Sequence, residues 1–213
     1  MKTDDLIEAL ARETEPAKPQ PWRMKLALTV LTGLVVAGLL VAIGLGVRAD
    51  IGVARMPVMM KALFSALAAA VVLPMAVQLM KPGRPLGWRI GAALIFAGVS
   101  LLAAFIALMG EMPEHRWEAW MGGRGGVPWC VVLIPILAAP TAVLLTWLMR
   151  SFAPTRITLA GAAIGAISGG VGAMAYAMYC PTDSVAFVTT WYTVAIAVCA
   201  ALGAFIGSKF LRW

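Results

Sequence analysis

Three cysteines, one histidine and ten carboxylates are the side chains of this 213-residue sequence best suited to chemistry, and their arrangement excludes most of it. His115 stands alone, so there is no H-E-x-x-H, no multi-histidine zinc set and no Ser/His/Asp constellation. No glycine-rich phosphate loop follows a strand, and the glycines at 122, 123, 125 and 126 read as a flexible turn. The chain is therefore expected not to be an enzyme and to carry no cofactor. Cysteine is the exception. Cys130 follows Trp129 at the start of one apolar run, and Cys180 lies between Tyr179 and Pro181 at the end of the next. Cys199 sits deep in an apolar run and reads as a small packing residue.

The elements that position the cysteines are membrane helices. Hydrophobic residues make up 62% of the chain, mean hydropathy is +0.89 and charged residues are 13%, which no ordinary soluble domain shows. Six apolar runs, at roughly 26–46, 57–79, 88–109, 127–149, 157–179 and 186–207, are each long enough to cross a hydrocarbon core of about 30 Å. The reading is an all-α integral membrane protein, a six-transmembrane-helix bundle over residues 26–213, embedded in the lipid bilayer. Short connections at 80–87 and 150–156 predict that consecutive spans are antiparallel neighbours. Between spans three and four, Pro113 to Met121 predicts an interfacial helix with Trp117 and Trp120 turned towards the bilayer interface.

Charge sets the orientation. An even number of spans puts both termini on one side. With that side cytoplasmic, twelve of the seventeen lysines and arginines lie inside, and only Arg48, Arg55, Lys61, Arg116 and Arg124 lie outside. Acids divide five and five, so the formal net charge of +7 is wholly an inner-face excess and calls for no direct nucleic-acid partner. The lead before the first span is acidic and proline-rich, with neither a basic n-region nor a small-residue cleavage site, so it is not read as a signal peptide. The expected location is the bacterial inner membrane, multi-pass, with N- and C-termini cytoplasmic.

In this frame Cys130 and Cys180 lie at the outer ends of spans four and five. Counting from the middle of the inner loop gives 23 positions to one and 27 to the other, a height difference of about 6 Å at 1.5 Å per residue. An oxidising periplasm permits a disulfide there, and two thiolates also suit a soft metal ion, with His115 or Asp183 as a further ligand. The bland alternative is a pair of small buried hydrophobes. The spans hold almost no other ionisable groups, and Lys61 and Gln78 lie near span ends, where long side chains snorkel to an interface. Gly161, Gly165 and Gly169, continued by Ala173, make a small-residue stripe on span five. Such a stripe serves a homodimer face or, more commonly, packing within the chain.

Ahead of the spans, residues 1–15 predict a cytoplasmic amphipathic helix. Thr3 suits the cap, Asp4 and Asp5 complement the macrodipole, Leu6, Ile7 and Leu10 make one apolar stripe, and Pro16 ends it. Its net charge of −3 argues against anionic lipid as its target and for a protein groove with basic edges. Residues 16–25 form a proline-rich tether ending in Trp22, Arg23 and Lys25, which suit an interface.

The T-D-D-L-I-E-A-L-A start at residues 3–11, the proline-containing tether, the six spans and the placement of Cys130 and Cys180 together resemble the NrsF-type membrane anti-sigma factors. The resemblance implies a negative regulator that holds an extracytoplasmic-function sigma factor. By position, Thr3, Asp4, Asp5, Leu6, Ile7 and Leu10 would belong to the sigma-binding segment. Cys130 and Cys180 would be sensor thiols for oxidant or heavy-metal stress. Two other classes compete. A small six-span solute-binding subunit of a vitamin or metal transporter has similar length but needs a polar pocket, and a membrane thiol oxidoreductase normally needs a C-x-x-C pair that this chain lacks.

Overall fold

A computed structural model describes residue 8 and residues 22–80, 87–123, 128–152 and 154–210. The expected sigma-binding helix (Thr3, Asp4, Asp5, Leu6, Ile7, Leu10) and most of the tether lie outside the described residues, where Glu8 alone is assigned, as helical. Among the described residues seven helices follow: α1 Trp22–Leu45, α2 Arg55–Leu79, α3 Trp88–Gly110, the short α4 Arg116–Met121, α5 Cys130–Arg150, α6 Ile157–Tyr176 and α7 Val185–Phe210. Six of them, all but α4, are long and apolar enough to cross a membrane. No strand occurs among the described residues. Both α1 and α7 contain a π-helical turn, at Val41–Leu45 and Val188–Tyr192.

The sequence of α6, ITLAGAAIGAISGGVGAMAY, explains its place at the centre. With glycine and alanine on several faces it lets other backbones approach closely, which is how helices gain van der Waals contact where no hydrophobic effect drives them together. In its most apolar stretch 72% of residues are buried, against 11% in α3, which marks α6 as the axial helix and α3 as peripheral. The Gly161, Gly165 and Gly169 stripe is used within the chain. A Cβ added at Gly161 would collide with the Gly203 carbonyl, and one at Gly165 with the Cys199 carbonyl, both on α7. Gly170 faces Ser65 and Ala69 of α2, and Gly172 faces Ile134 and Ala138 of α5. The stripe is thus occupied by α7 and does not present a dimer face.

Neighbour relations follow from that axis. Helices joined at the end of the bundle where α1 begins, α2 with α3 and α5 with α6, pack together as expected, and so do α6 and α7. The expectation fails for α1 with α2 and for α3 with α5, which make little contact. Instead α1 and α2 both pack on α6, whose Ile167, Val171 and Met174 floor the groove between them, and α1 also packs on α5. The close approach available on α6 outweighs the proximity that a short connection provides. At the α1–α5 crossing Gly33 lies against Thr141 so tightly that a Cβ there would meet the threonine side chain.

The glycine contacts give a direct test. Gly165→Leu should lower unfolding stability in detergent by about 3 kcal/mol or more, the upper end of what overpacking costs. Gly98→Ala on α3, where an added Cβ meets nothing within 4 Å, should leave it unchanged or raise it by up to ~1 kcal/mol through helix propensity. Thermal unfolding of the two purified variants reads both.

Candidate functional site

Cys130 is the first residue of α5, and Cys180 follows the last turn of α6, with its N–H donating to the Tyr176 carbonyl at 3.0 Å. Both thiols are free and buried, at 0% and 2% exposure, and Cys180 lies beside Arg48, which follows the end of α1 opposite Trp22. They are close enough to influence one another electrostatically. Tyr176 and Tyr192 lie within the same reach of both sulfurs, their ring centroids 6.0 Å apart. The Tyr192 hydroxyl is buried without a geometrically sound partner, and its polar neighbour is the Cys180 thiol. Tyr192 ends the π-helical turn of α7, a feature that often marks a functional position because it re-aims side chains within a helix.

The short helix α4 closes over this end. Gly122 terminates it at φ +82°, a left-handed conformation suited to glycine, and a Cβ there would strike Phe187 and Thr182. The indole N–H of Trp191 donates to the Trp120 carbonyl at 2.8 Å and the two rings lie 5.5 Å apart. The helix expected from Pro113 therefore starts at Arg116, and its two tryptophans divide their roles. Trp117 is exposed, as an interfacial residue would be, whereas Trp120 is held against α7.

Sequence reasoning missed the polar half of the site. Lys61, expected to snorkel, is only 2% exposed, and its ammonium donates to the Cys180 carbonyl at 2.9 Å and to Asp183 at 2.6 Å. Arg48, from the α1–α2 connection, donates through Nη1 to the same carbonyl at 3.1 Å. It also grips both Asp183 oxygens, at 2.9 and 3.1 Å, and both Asp50 oxygens, at 2.7 and 2.8 Å. The available signal was a lysine seven residues into an otherwise apolar helix, a placement that usually means a buried partner. The bidentate guanidinium bonds hold the Asp183 carboxyl below the usual carboxylate range, helped by the Lys61 bond and opposed by burial. Arg48 likewise lowers Asp50. In return, hydrogen bonds to Asp50 and Asp183 raise Arg48 above its ordinary value.

Among the described residues no three of His, Cys, Asp and Glu converge as a metal site would require. His115 is exposed at the start of α4, and Asp183 is engaged by Arg48 and Lys61, so neither completes a ligand set with the two thiols. Cys199 packs in the α6–α7 contact, its side chain against Gly169.

The described residues define a helical protein with six helices long and apolar enough to cross a membrane, and with two buried thiols beside a charge cluster. Residues 10–213 match the family described as NrsF, negative regulator of sigma F. The chain is 35% identical to "Anti-sigma-F factor NrsF" of Caulobacter vibrioides and 33% identical to "Probable anti-sigma-F factor NrsF" of Azospira oryzae, each over the full length of both chains. No solved structure matches significantly. The chain belongs to the NrsF family of anti-sigma factors.

Two variants test the charge cluster. Asp183→Asn, which leaves Lys61 and Arg48 facing a neutral amide, should lower unfolding stability by about 1.5–3 kcal/mol, the range for a hydrogen bond to a charged group. Lys61→Met combined with Asp183→Asn should lose less than Asp183→Asn alone, because no buried ammonium is then left unpaired. A carboxyl held low in the folded state contributes stability that is complete above its unfolded value of about 3.9 and is lost as pH falls through the folded value. The acid slope of stability below about pH 4 should therefore be shallower in Asp183→Asn than in the parent, with Asp50 supplying the remainder.

Proposed function

We propose that this chain is an inner-membrane anti-sigma factor that holds an extracytoplasmic-function sigma factor through cytoplasmic residues 1–15 and releases it when Cys130 and Cys180 react with oxidant or a heavy metal. The family supplies the partner class. The observation that carries the sensing half is the burial of two free thiols, Cys130 at the start of α5 and Cys180 after the last turn of α6, within electrostatic reach of one another. The twelve-to-five division of basic residues supports an orientation with the thiols on the periplasmic side and both termini in the cytoplasm.

Sequestration of this kind needs no catalysis. An acidic amphipathic helix, too short to be stable alone, gains its order by laying Leu6, Ile7 and Leu10 into an apolar groove with basic rims. Chemistry at the thiols changes the volume and polarity of a packed site where Cys130, Cys180, Tyr176 and Tyr192 leave little space. Packed helices respond to such a change by switching between discrete arrangements, and this conveys the signal to the opposite end.

Two measurements check the proposal. The detergent-solubilised intact chain should retain a sigma factor from cells of its own source, and a version lacking residues 1–15 should retain at least about ten-fold less, a loss of roughly 1.4 kcal/mol or more. Recovery of equal amounts by both versions would place the binding segment elsewhere. Cys130→Ser with Cys180→Ser should keep the sigma factor bound but abolish target-gene induction by cadmium, chromate or oxidant; unchanged induction would rule out the sensor role.

A further inference from the structure

We propose that Arg48, Lys61 and Asp183 are positioning residues that transmit a change at Cys180 into α1 and α2. This rests on the reading of Cys130 and Cys180 as sensor thiols and deepens it. The Cys180 carbonyl accepts from two cations at once, Lys61 Nζ at 2.9 Å and Arg48 Nη1 at 3.1 Å. Three residues on, Asp183 accepts from the same two cations, and the Arg48 backbone N–H donates to the Met178 carbonyl at 3.1 Å. The segment carrying the thiol is thus tied at three places, Met178, Cys180 and Asp183, to the α1–α2 connection and to α2.

The coupling follows from burial. The Arg48 and Lys61 side chains are 6% and 2% exposed, so the donors that hold the Cys180 carbonyl lie inside the protein. Both cations also hold Asp183, three residues along the same segment, so a displacement of that segment strains several charge-assisted bonds together and draws Arg48 and Lys61 with it. Arg48 lies two residues beyond Gly46, which ends the π-helical turn at φ +83°. A π turn holds one residue more than the α-helical turn it replaces. Taking up or releasing that residue rotates the preceding helix by about 100° and shifts it by about 1.5 Å. This gives α1 a two-state element beside the cluster, and α1 leads back towards residues 1–21 at the other end. Both thiol chemistries, oxidation and metal binding, would use the same link, because it responds to displacement of the Cys180 backbone and not to the group attached.

The test is hydrogen–deuterium exchange of the full-length protein carrying Cys199→Ser. Exchange is compared before and after capping Cys130 and Cys180 with methyl methanethiosulfonate. The reagent turns each S–H into S–S–CH3 and releases methanesulfinic acid, and intact mass reports the extent. Labelling should change exchange in residues 41–50 by about three-fold or more, and Arg48→Gln should remove most of that change. Arg48→Gln keeps Lys61 paired with Asp183, so no buried ammonium is orphaned. Cys180→Phe builds the displacement in without labelling and should alter the same segment. Equal responses with and without Arg48, or no response in residues 41–50 in either the labelled or the Cys180→Phe protein, overturn the link. Sigma-factor retention by the same samples separates the two ideas. If exchange responds through Arg48 while the sigma factor stays bound, the link stands and the sensor role fails.

Discussion

The close contact of α6 with its neighbours is the constraint on which the rest of this structure depends. In a lipid environment apolar side chains gain little by leaving lipid for protein, so helices associate through dense packing and a few polar contacts. Glycines on α6 allow the Gly203 and Cys199 carbonyls of α7 to approach within what would be a Cβ position, and α2 and α5 dock on other faces of the same helix. The end of an axial helix emerges in the middle of the bundle. Tyr176 and Cys180 are therefore surrounded on all sides, although they lie next to a connection that would ordinarily be exposed.

That placement accounts for the charge cluster. The chain must leave α6 and turn into α7 at a crowded site, and the carbonyls of Met178 and Cys180 are beyond the helical ladder that satisfies those before them. Arg48 and Lys61 supply the missing donors, and Asp183 with Asp50 balances their charge. A backbone carbonyl held by two cations is an unusual solution where a single hydroxyl or amide would satisfy it. It makes the position of Cys180 depend on residues more than a hundred positions away in sequence, which is a reason to regard this end of the bundle as one mechanical unit. The anti-sigma family to which the chain belongs needs such a unit only if the signal enters there.

How much was legible beforehand depended on the range of the interaction. Six helices long and apolar enough to cross a membrane lie within a few residues of the expected runs, because hydropathy over about twenty positions is a local property. The matched height of Cys130 and Cys180 was an expectation from counting helical rise on either side of a short loop, and the two thiols are buried within electrostatic reach of one another. The use of the glycine stripe was left open between a dimer and the chain itself, since a stripe records that a backbone comes close without recording whose. Trp120 was expected at the interface because an indole beside a predicted interfacial helix suits it, and only the position of Trp191 turns it inward.

Composition and periodicity by themselves determined that this is a helical protein with six helices long and apolar enough to cross a membrane, with Cys130 at the start of one and Cys180 just after the end of the next. The family resemblance was readable from a short amino-terminal motif and the cysteine positions. Only the tertiary structure decided that α1 and α2 are kept apart by α6, and that Lys61 turns into the bundle to meet Asp183 and the Cys180 carbonyl. The physical reason is the same in both cases. A lysine near a helix end has two good environments, the interface or a buried anion, and a small-residue helix accepts any neighbour of suitable shape; the choice rests on which distant segments arrive beside them, and no local pattern in the sequence encodes that.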